Sequence, residues 1–254
     1  MPLLYRDDDE QYENIKEKGF PRYRHLLEDH AFDWLKISIM TALGALPLAA
    51  AIAVSVMSSS ILLLFPLSFL GGMIFGPFYC CMFDNILRGL REEYGPWKDQ
   101  WLKAFRQNLK ESLIPGGVFG LITGTMTFMG FLLYWQTGGI PLFTAVMYFI
   151  AGIFFLSVNT VFWSLLVLFA QPLKTRLIST VVFLAGHLWR VLAVSLLQMI
   201  MIALTVLFAP WTLFIVPLLY WYFRFLTLYH IYDEMDEFFH IEERFREYAQ
   251  NKNS

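Results

Sequence analysis

Apolar residues fall into six long runs along the chain, and polar segments separate these runs. A bilayer core about 30 Å thick is crossed by roughly 20 apolar residues in a helix, which is close to the length of each run. The predicted spans are 35–57, 61–83, 113–135, 142–170, 191–208 and 211–232. The pattern therefore predicts an all-α, polytopic membrane protein whose core is a bundle of six transmembrane helices.

The polar segments define the rest of the predicted organisation. Residues 1–34 form a cytoplasmic N-terminal segment, and residues 233–254 form a charged tail that continues the last helix. Two longer connections, 84–112 and 171–190, are predicted to be amphipathic elbow helices lying in the membrane interface. The six spans occupy the domain between the two ends, 35–232.

Basic residues indicate the orientation of the bundle. All 19 lysines and arginines lie near the N-terminus, around 88–110, around 174–190, or from Arg224 onward. The connections 58–60, 136–141 and 209–210 carry no charge. The positive-inside rule then predicts a multi-pass membrane protein with both termini in the cytoplasm.

Composition narrows the class further. Hydrophobic residues make up 57% of the 254 residues, charged residues make up 16%, and the mean hydropathy is +0.52. Soluble domains are about 45–50% apolar and about 25% charged, so an ordinary cytosolic enzyme and a disordered chain are excluded. The net charge of −2 predicts no nucleic-acid partner, and membrane lipid is the expected surrounding.

The elbow region 84–112 combines an aromatic stripe with basic residues. Its marked positions are Trp97, Trp101, Phe105, Asn108 and Lys110. A helix of this kind places rings among lipid headgroups and cations near anionic lipid. It is either a structural elbow that leads into the third span or a docking helix for a partner such as a membrane transport complex.

Polar side chains inside spans are hypotheses for functional sites. Asn159, Gln198 and Arg224 lie in spans four, five and six, and His187 and Arg190 lie at the start of span five. They either line a pathway or form hydrogen bonds between helices. Arg224 is expected either to snorkel toward the cytoplasmic surface or to contact a backbone carbonyl. No aspartate or glutamate lies within a span, which argues against a proton-coupled carrier built on a buried carboxylate.

Small residues predict close helix contacts. Gly116, Gly120 and Gly124 form two small-xxx-small steps on the third span, which pack either within the bundle or in a homo-oligomer. Gly76 and Pro77 interrupt the second span and form a candidate hinge, because proline in a helix releases a carbonyl group.

Candidate chemistry is sparse. Cys80 and Cys81 lie near the cytoplasmic end of the second span, where they are predicted to be packing residues, with acylation as the alternative. The chain has no phosphate-binding loop, no dinucleotide fingerprint and no paired-histidine metal motif. No catalytic, cofactor-binding or metal-binding residue is therefore predicted, and the protein is not expected to be an enzyme. A lipid-active enzyme would need a convergent site on the cytoplasmic face.

One stretch resembles a known family. Gly76-Pro77-Phe78-Tyr79, Ile86-Leu87-Arg88 and the elbow residues 97–110 resemble the YesL-like bacterial membrane proteins. That family has no established activity, and its genes often accompany carbohydrate uptake and degradation systems. The resemblance implies an accessory role near sugar import and transfers no catalytic residue.

Two functions follow as expectations. The first is a non-enzymatic accessory or scaffold protein that presents its elbows and tail to a partner. The alternative is a small-solute carrier or channel, which requires a cavity reaching Asn159, Gln198 and Arg224. A bundle packed solidly around these three side chains would exclude the alternative.

Overall fold

The chain is all-α, as the hydrophobic pattern predicts. The computed structural model describes residues 19–93, 95–137, 141–207 and 212–245, with the backbone alone at 134–137, 203–207 and 212–218. These ranges contain no strand. The helices are α1 (Phe20–Met57), α2 (Ile61–Leu90), α3 (Trp97–Thr137), α4 (Leu142–Leu168), α5 (Leu173–Gly186), α6 (Leu188–Leu207) and α7 (Thr212–Phe239). Predictions for 1–18, for the connection 209–210 and for the tail beyond 245 lie outside the described residues.

The described helices have the length and apolar composition of membrane spans. Four of them, in α1 to α4, are long and apolar enough to cross a bilayer. A fifth span results if α5 and α6 are taken as one broken segment, whose two parts meet at 99°. The sixth predicted span falls on α7. The side chains of residues 212–218 in this helix are not among those described, so the count of six spans stays a prediction.

Proline and glycine set several helix ends as the sequence indicates. Pro21 lies in the first turn of α1 behind Gly19, which has a φ of 76°. The helix α3 begins directly after Gly95-Pro96, and α5 begins after Pro172. Proline suits these positions because the first turn of a helix does not use its backbone N–H.

Glycines bring α2 and α3 into backbone contact. A Cβ added to Gly72 would lie 2.4 Å from the Gly116 carbonyl oxygen, and one added to Gly120 would lie 2.5 Å from the Gly72 Cα. Gly124 faces the Ser68 side chain of α2 in the same way. Of the two alternatives for Gly116, Gly120 and Gly124, these contacts match packing within the bundle, because α2 covers the surface that the three glycines form. Homo-oligomer formation stays a prediction.

The structure shows no break at Gly76 and Pro77, and their role as a hinge stays a prediction. The helix α2 runs without interruption from Ile61 to Leu90. A Cβ on Gly76 would lie 2.5 Å from the Ser112 carbonyl oxygen of α3. The small residue is thus explained by the close approach of two helices rather than by a break in one of them.

The elbow predicted at 84–112 is divided differently in the structure. Residues 84–90 are the last turns of α2 and are buried, whereas Trp97 begins a helix of 41 residues that continues into the third span. The segment is therefore not a separate interfacial helix. The second predicted elbow, 171–190, contains the separate helix α5.

The aromatic residues of this segment are half-buried against α1 and α2. The rings of Trp101 and Phe105 lie 5.9 and 5.3 Å from the ring of Phe78 in α2, and Lys36 of α1 lies over Trp97. These contacts match the alternative of a structural elbow that leads into the third span, and a docking role for the helix stays a prediction. Asn108 is buried as well, and its Nδ2 donates to the Ala104 carbonyl oxygen, whereas Lys110 stays exposed.

A buried ion network closes the end of α2. Arg88 Nε lies 2.7 Å from Asp84 Oδ2, and Glu93 accepts from Arg88 Nη1 and Arg91 Nε. Arg91 also lies over the ring of Phe245, near the end of the described chain. The network neutralises charges that would otherwise keep this segment at the surface.

Both cysteines belong to this buried region. Cys80 and Cys81 are free thiols without exposed surface. Cys81 Sγ lies 3.7 Å from the Trp101 carbonyl oxygen, which places it in the contact between α2 and α3. The thiols are packing residues, and acylation is excluded in the folded protein because no acyl donor could reach them.

Candidate functional site

Arg224 lies inside the helix bundle rather than at its edge. Its side chain projects from α7, and the residue is only 5% exposed. Nη2 donates to the hydroxyl oxygens of Tyr79 at 2.6 Å and Tyr220 at 2.8 Å, and Nη1 donates to Thr160 Oγ1 at 3.4 Å. The expected snorkelling of Arg224 is therefore wrong, because hydroxyl groups from α2, α4 and its own helix hold the guanidinium in the interior.

Aromatic rings surround the same guanidinium. Its central carbon lies 4.7 Å from the ring centroid of Phe83, 5.2 Å from that of Tyr79 and 5.5 Å from that of Tyr220. Cations are attracted to the faces of aromatic rings, and the attraction is stronger where water is excluded. The rings therefore offset part of the cost of burying the charge.

Asn159 and Gln198 join Arg224 in one hydrogen-bond network. Asn159 Nδ2 donates to the Tyr79 hydroxyl at 3.0 Å, and Gln198 Nε2 donates to Thr160 Oγ1 at 2.9 Å. The network thus links α2, α4, α6 and α7. The three residues singled out in spans four, five and six are neighbours in the structure.

The other two polar candidates lie elsewhere. The His187 ring, at the bend between α5 and α6, stacks on Phe183 and meets Phe238 edge-on. Arg190 forms an ion pair with Glu234 of α7. Neither residue belongs to the Arg224 network, so His187 and Arg190 have packing and surface roles in this fold.

A cavity of about 470 Å³ opens beside the network. Tyr79, Asn159, Gln198, Tyr220 and Arg224 line its polar part. The rest of the wall is mainly apolar and includes Gly116, Gly120 and Gly152. Small-molecule sites typically have volumes of about 300–1,000 Å³ and a few polar groups in an apolar wall, which describes this cavity.

Arg224 differs from the other buried arginines in its charge balance. Arg22, Arg88, Arg91 and Arg176 are buried, and each forms an ion pair with a carboxylate. Arg224 contacts no carboxylate among the described residues, and its partners are the hydroxyl groups named above. The cavity wall therefore carries a positive charge that the described part of the protein does not neutralise.

Several buried polar atoms around the cavity lack hydrogen-bond partners. They include Arg224 Nε, Trp163 Nε1, Asn159 Oδ1 and Gln198 Oε1. Buried polar groups are usually paired, so a cluster of exceptions marks a place where a polar ligand could complete the bonding. Arg224 Nε and Trp163 Nε1 are hydrogen-bond donors, and Asn159 Oδ1 and Gln198 Oε1 are acceptors, so a ligand would find both kinds of group near the positive charge of Arg224.

Residues that sequence reasoning missed complete the network. Tyr79, Thr160 and Tyr220 hold Arg224, yet tyrosine and threonine are common in apolar helices and carry no distinctive signal. Tyr220 could have been found from its position four residues before Arg224, which places both on one helix face. In the described residues, no cluster of three histidine, cysteine, aspartate or glutamate side chains could hold a metal ion.

Comparisons with family models, curated proteins and solved structures give no match to this chain. The resemblance to the YesL-like family therefore stays a prediction from the sequence. The geometry of the Arg224 network and of the cavity beside it is what indicates a function.

Proposed function

We propose that the protein is a carrier or channel for a small solute in the bacterial cytoplasmic membrane. The observation that carries the proposal is the cavity of about 470 Å³ lined by Asn159, Gln198 and Arg224. Arginines within membrane spans typically face a bundle interior or an aqueous cavity and mark solute pathways. Six spans and two cytoplasmic termini complete the proposed topology.

The position of the network supports a solute site within the membrane. Arg224 lies 12 residues beyond Thr212, the first residue of α7, which corresponds to about 18 Å along a helix. With Thr212 at one surface of an apolar layer about 30 Å thick, Arg224 would lie slightly past the middle of that layer. Burying a charge at such a depth costs free energy unless the charge contacts a bound group or a water-filled cavity.

A thiol-labelling experiment tests whether the cavity admits solutes from water. Thr123 lines the cavity, whereas the adjacent Ile122 is exposed on the outside of the bundle. In membrane vesicles, Thr123→Cys should react at least about tenfold faster than Ile122→Cys with charged methanethiosulfonates, because the reactive thiolate forms only in contact with water. The buried native cysteines provide an unreactive background.

Equal, slow reaction of the two variants would contradict the proposal. Both sulfonate and trimethylammonium reagents are used, so that a charge preference of the cavity does not hide its access to water. Reaction of the Thr123→Cys thiol with either reagent supports a solute site.

An accessory role is the second candidate. The observation that favours it is the outer face of α3, where Lys98, Arg106 and Lys110 are exposed while the aromatic residues pack inward. Such a face suits anionic lipid or an acidic surface on a membrane transport complex. The link to carbohydrate uptake comes only from the YesL-like resemblance. This role gains weight if the Thr123→Cys thiol proves inaccessible.

A further inference from the structure

We propose that the cavity binds an organic anion with an apolar body, whose negative charge is held by Arg224. This inference rests on the proposed function, since it names the class of solute that the same cavity takes. The observation behind it is a difference in charge pairing among the buried arginines. The four other buried arginines of the described chain have carboxylate partners, and Arg224 has neutral hydroxyl partners.

The surroundings of Arg224 favour an anion over any other charge. A guanidinium stays protonated in proteins, so the positive charge is permanent. The groups facing it are the tyrosines Tyr79 and Tyr220, Thr160 and the ring of Phe83. None of these brings a negative charge at neutral pH, and a cationic solute would be repelled.

Tyrosine hydroxyls are better partners for an arginine that binds an anion than a protein carboxylate would be. A carboxylate beside Arg224 would neutralise it permanently and compete with an incoming anion. The hydroxyls of Tyr79 and Tyr220 orient the guanidinium through hydrogen bonds and leave its charge intact. The cation is thus held in place and kept available.

The wall of the cavity specifies the rest of the solute. Most of the lining is apolar, with rings from Phe75, Phe119 and Phe155. An apolar or aromatic body gains from leaving water for such a wall, whereas a bare inorganic anion would have only its contact with Arg224 to offset the loss of its hydration. The solute therefore combines a charged end with an apolar end.

Two orphan acceptors add a further feature. Asn159 Oδ1 and Gln198 Oε1 are buried and have no hydrogen-bond partner. A hydroxyl group close to the anionic end of the solute would donate to one of them, so a hydroxylated carboxylate fits better than a plain one.

A matched ligand series tests the charge requirement. The full-length protein in phosphatidylcholine nanodiscs is titrated with 3-phenylpropanoate, 3-phenylpropanol and 3-phenylpropylammonium, which share one body and differ in the charge of the end group. Calorimetry should show that the carboxylate binds at least about tenfold more tightly than the alcohol or the amine. Equal binding of the three probes would overturn the inference. The related 3-phenyllactate should bind more tightly than 3-phenylpropanoate, and equal affinities would overturn the role of the hydroxyl.

Substitutions assign the charge preference to one residue. Arg224→Gln should abolish the preference for the carboxylate, while Lys98→Gln removes an exposed charge and should leave it unchanged. A preference that survives in Arg224→Gln would overturn the assignment. If Arg224→Gln does not fold, the charge preference is measured instead on the Thr123→Cys protein, which keeps Arg224. After correction for the intrinsic rates of the two reagents, the sulfonate should label this thiol faster than the trimethylammonium reagent.

The same experiments separate the possible failures and the sources of the anion. A Thr123→Cys thiol that reacts equally with both reagents contradicts the anion inference and leaves the solute site intact, whereas an unreactive thiol contradicts both. Repeating the titration in nanodiscs with added phosphatidylglycerol tests lipid as the source. Unchanged binding supports a free solute, and loss of binding assigns the site to an anionic lipid headgroup and overturns the proposal.

Discussion

Gly72→Ala is expected to lower the free energy of unfolding by about 3 kcal/mol, at the upper end of the usual cost of overpacking. The new Cβ would lie 2.4 Å from the Gly116 carbonyl oxygen and 2.8 Å from the Gly120 Cα. Both are backbone atoms, so the clash cannot be relieved by a side-chain rotation. The helices α2 and α3 must separate, and little hydrophobic force between helices in lipid compensates for the lost contact.

A denaturing-detergent titration followed by circular dichroism measures this loss. Gly186→Ala is the matched control, because nothing lies within 4 Å of a Cβ added at the end of α5. The control should change the stability by less than about 0.5 kcal/mol. Similar stabilities of the two variants would show that α2 and α3 do not approach as closely as described.

Arg88→Met is expected to cost about 3–5 kcal/mol, the usual effect of removing one partner from a buried ion pair. The Arg88 side chain is 2% exposed, and those of its partners Asp84 and Glu93 are 8% and 10% exposed. Without the guanidinium, the buried Asp84 carboxylate loses its ion-pair partner, whereas Glu93 keeps its pair with Arg91. Folding must then either desolvate an uncompensated charge or protonate it.

Two further variants show whether charge pairing is the cause. Asp84→Asn combined with Arg88→Met removes both charges of the pair and should recover most of the stability. Arg24→Met breaks the exposed pair with Glu28, at 2.7 Å, and should cost far less stability than Arg88→Met, because water screens an exposed pair. A small loss in Arg88→Met, comparable to that in Arg24→Met, would contradict a buried network at the end of α2.

The glycine stripes show how far pattern reasoning reaches. Gly116, Gly120 and Gly124 were recognisable as a surface for close approach because their spacing of four places them on one helix face. The spacing does not name the partner surface. That partner is the stripe on α2 that includes Gly72 and Gly76, and the presumed hinge and the presumed dimer surface are two sides of one contact.

In the candidate site, too, the sequence indicates some of the residues and the fold supplies the others. Asn159, Gln198 and Arg224 were recognisable as polar residues in apolar helices, where such residues are rare. Their neighbours Tyr79 and Tyr220 were not, because a tyrosine in an apolar helix is ordinary until its hydroxyl meets a charge. Whether Arg224 reaches the surface or stays inside depends on hydroxyl groups that other helices bring to it.

The helical, membrane-like class and several helix ends could be predicted from the sequence, because apolar run length and proline or glycine positions act locally along the chain. Three features required the folded bundle: which small faces meet, which rings the aromatic residues of α3 contact, and the position of Arg224 beside a cavity, without a carboxylate partner in the described chain. These outcomes depend on atoms far apart in sequence, and the free energy of a buried charge or a backbone contact is set by those atoms.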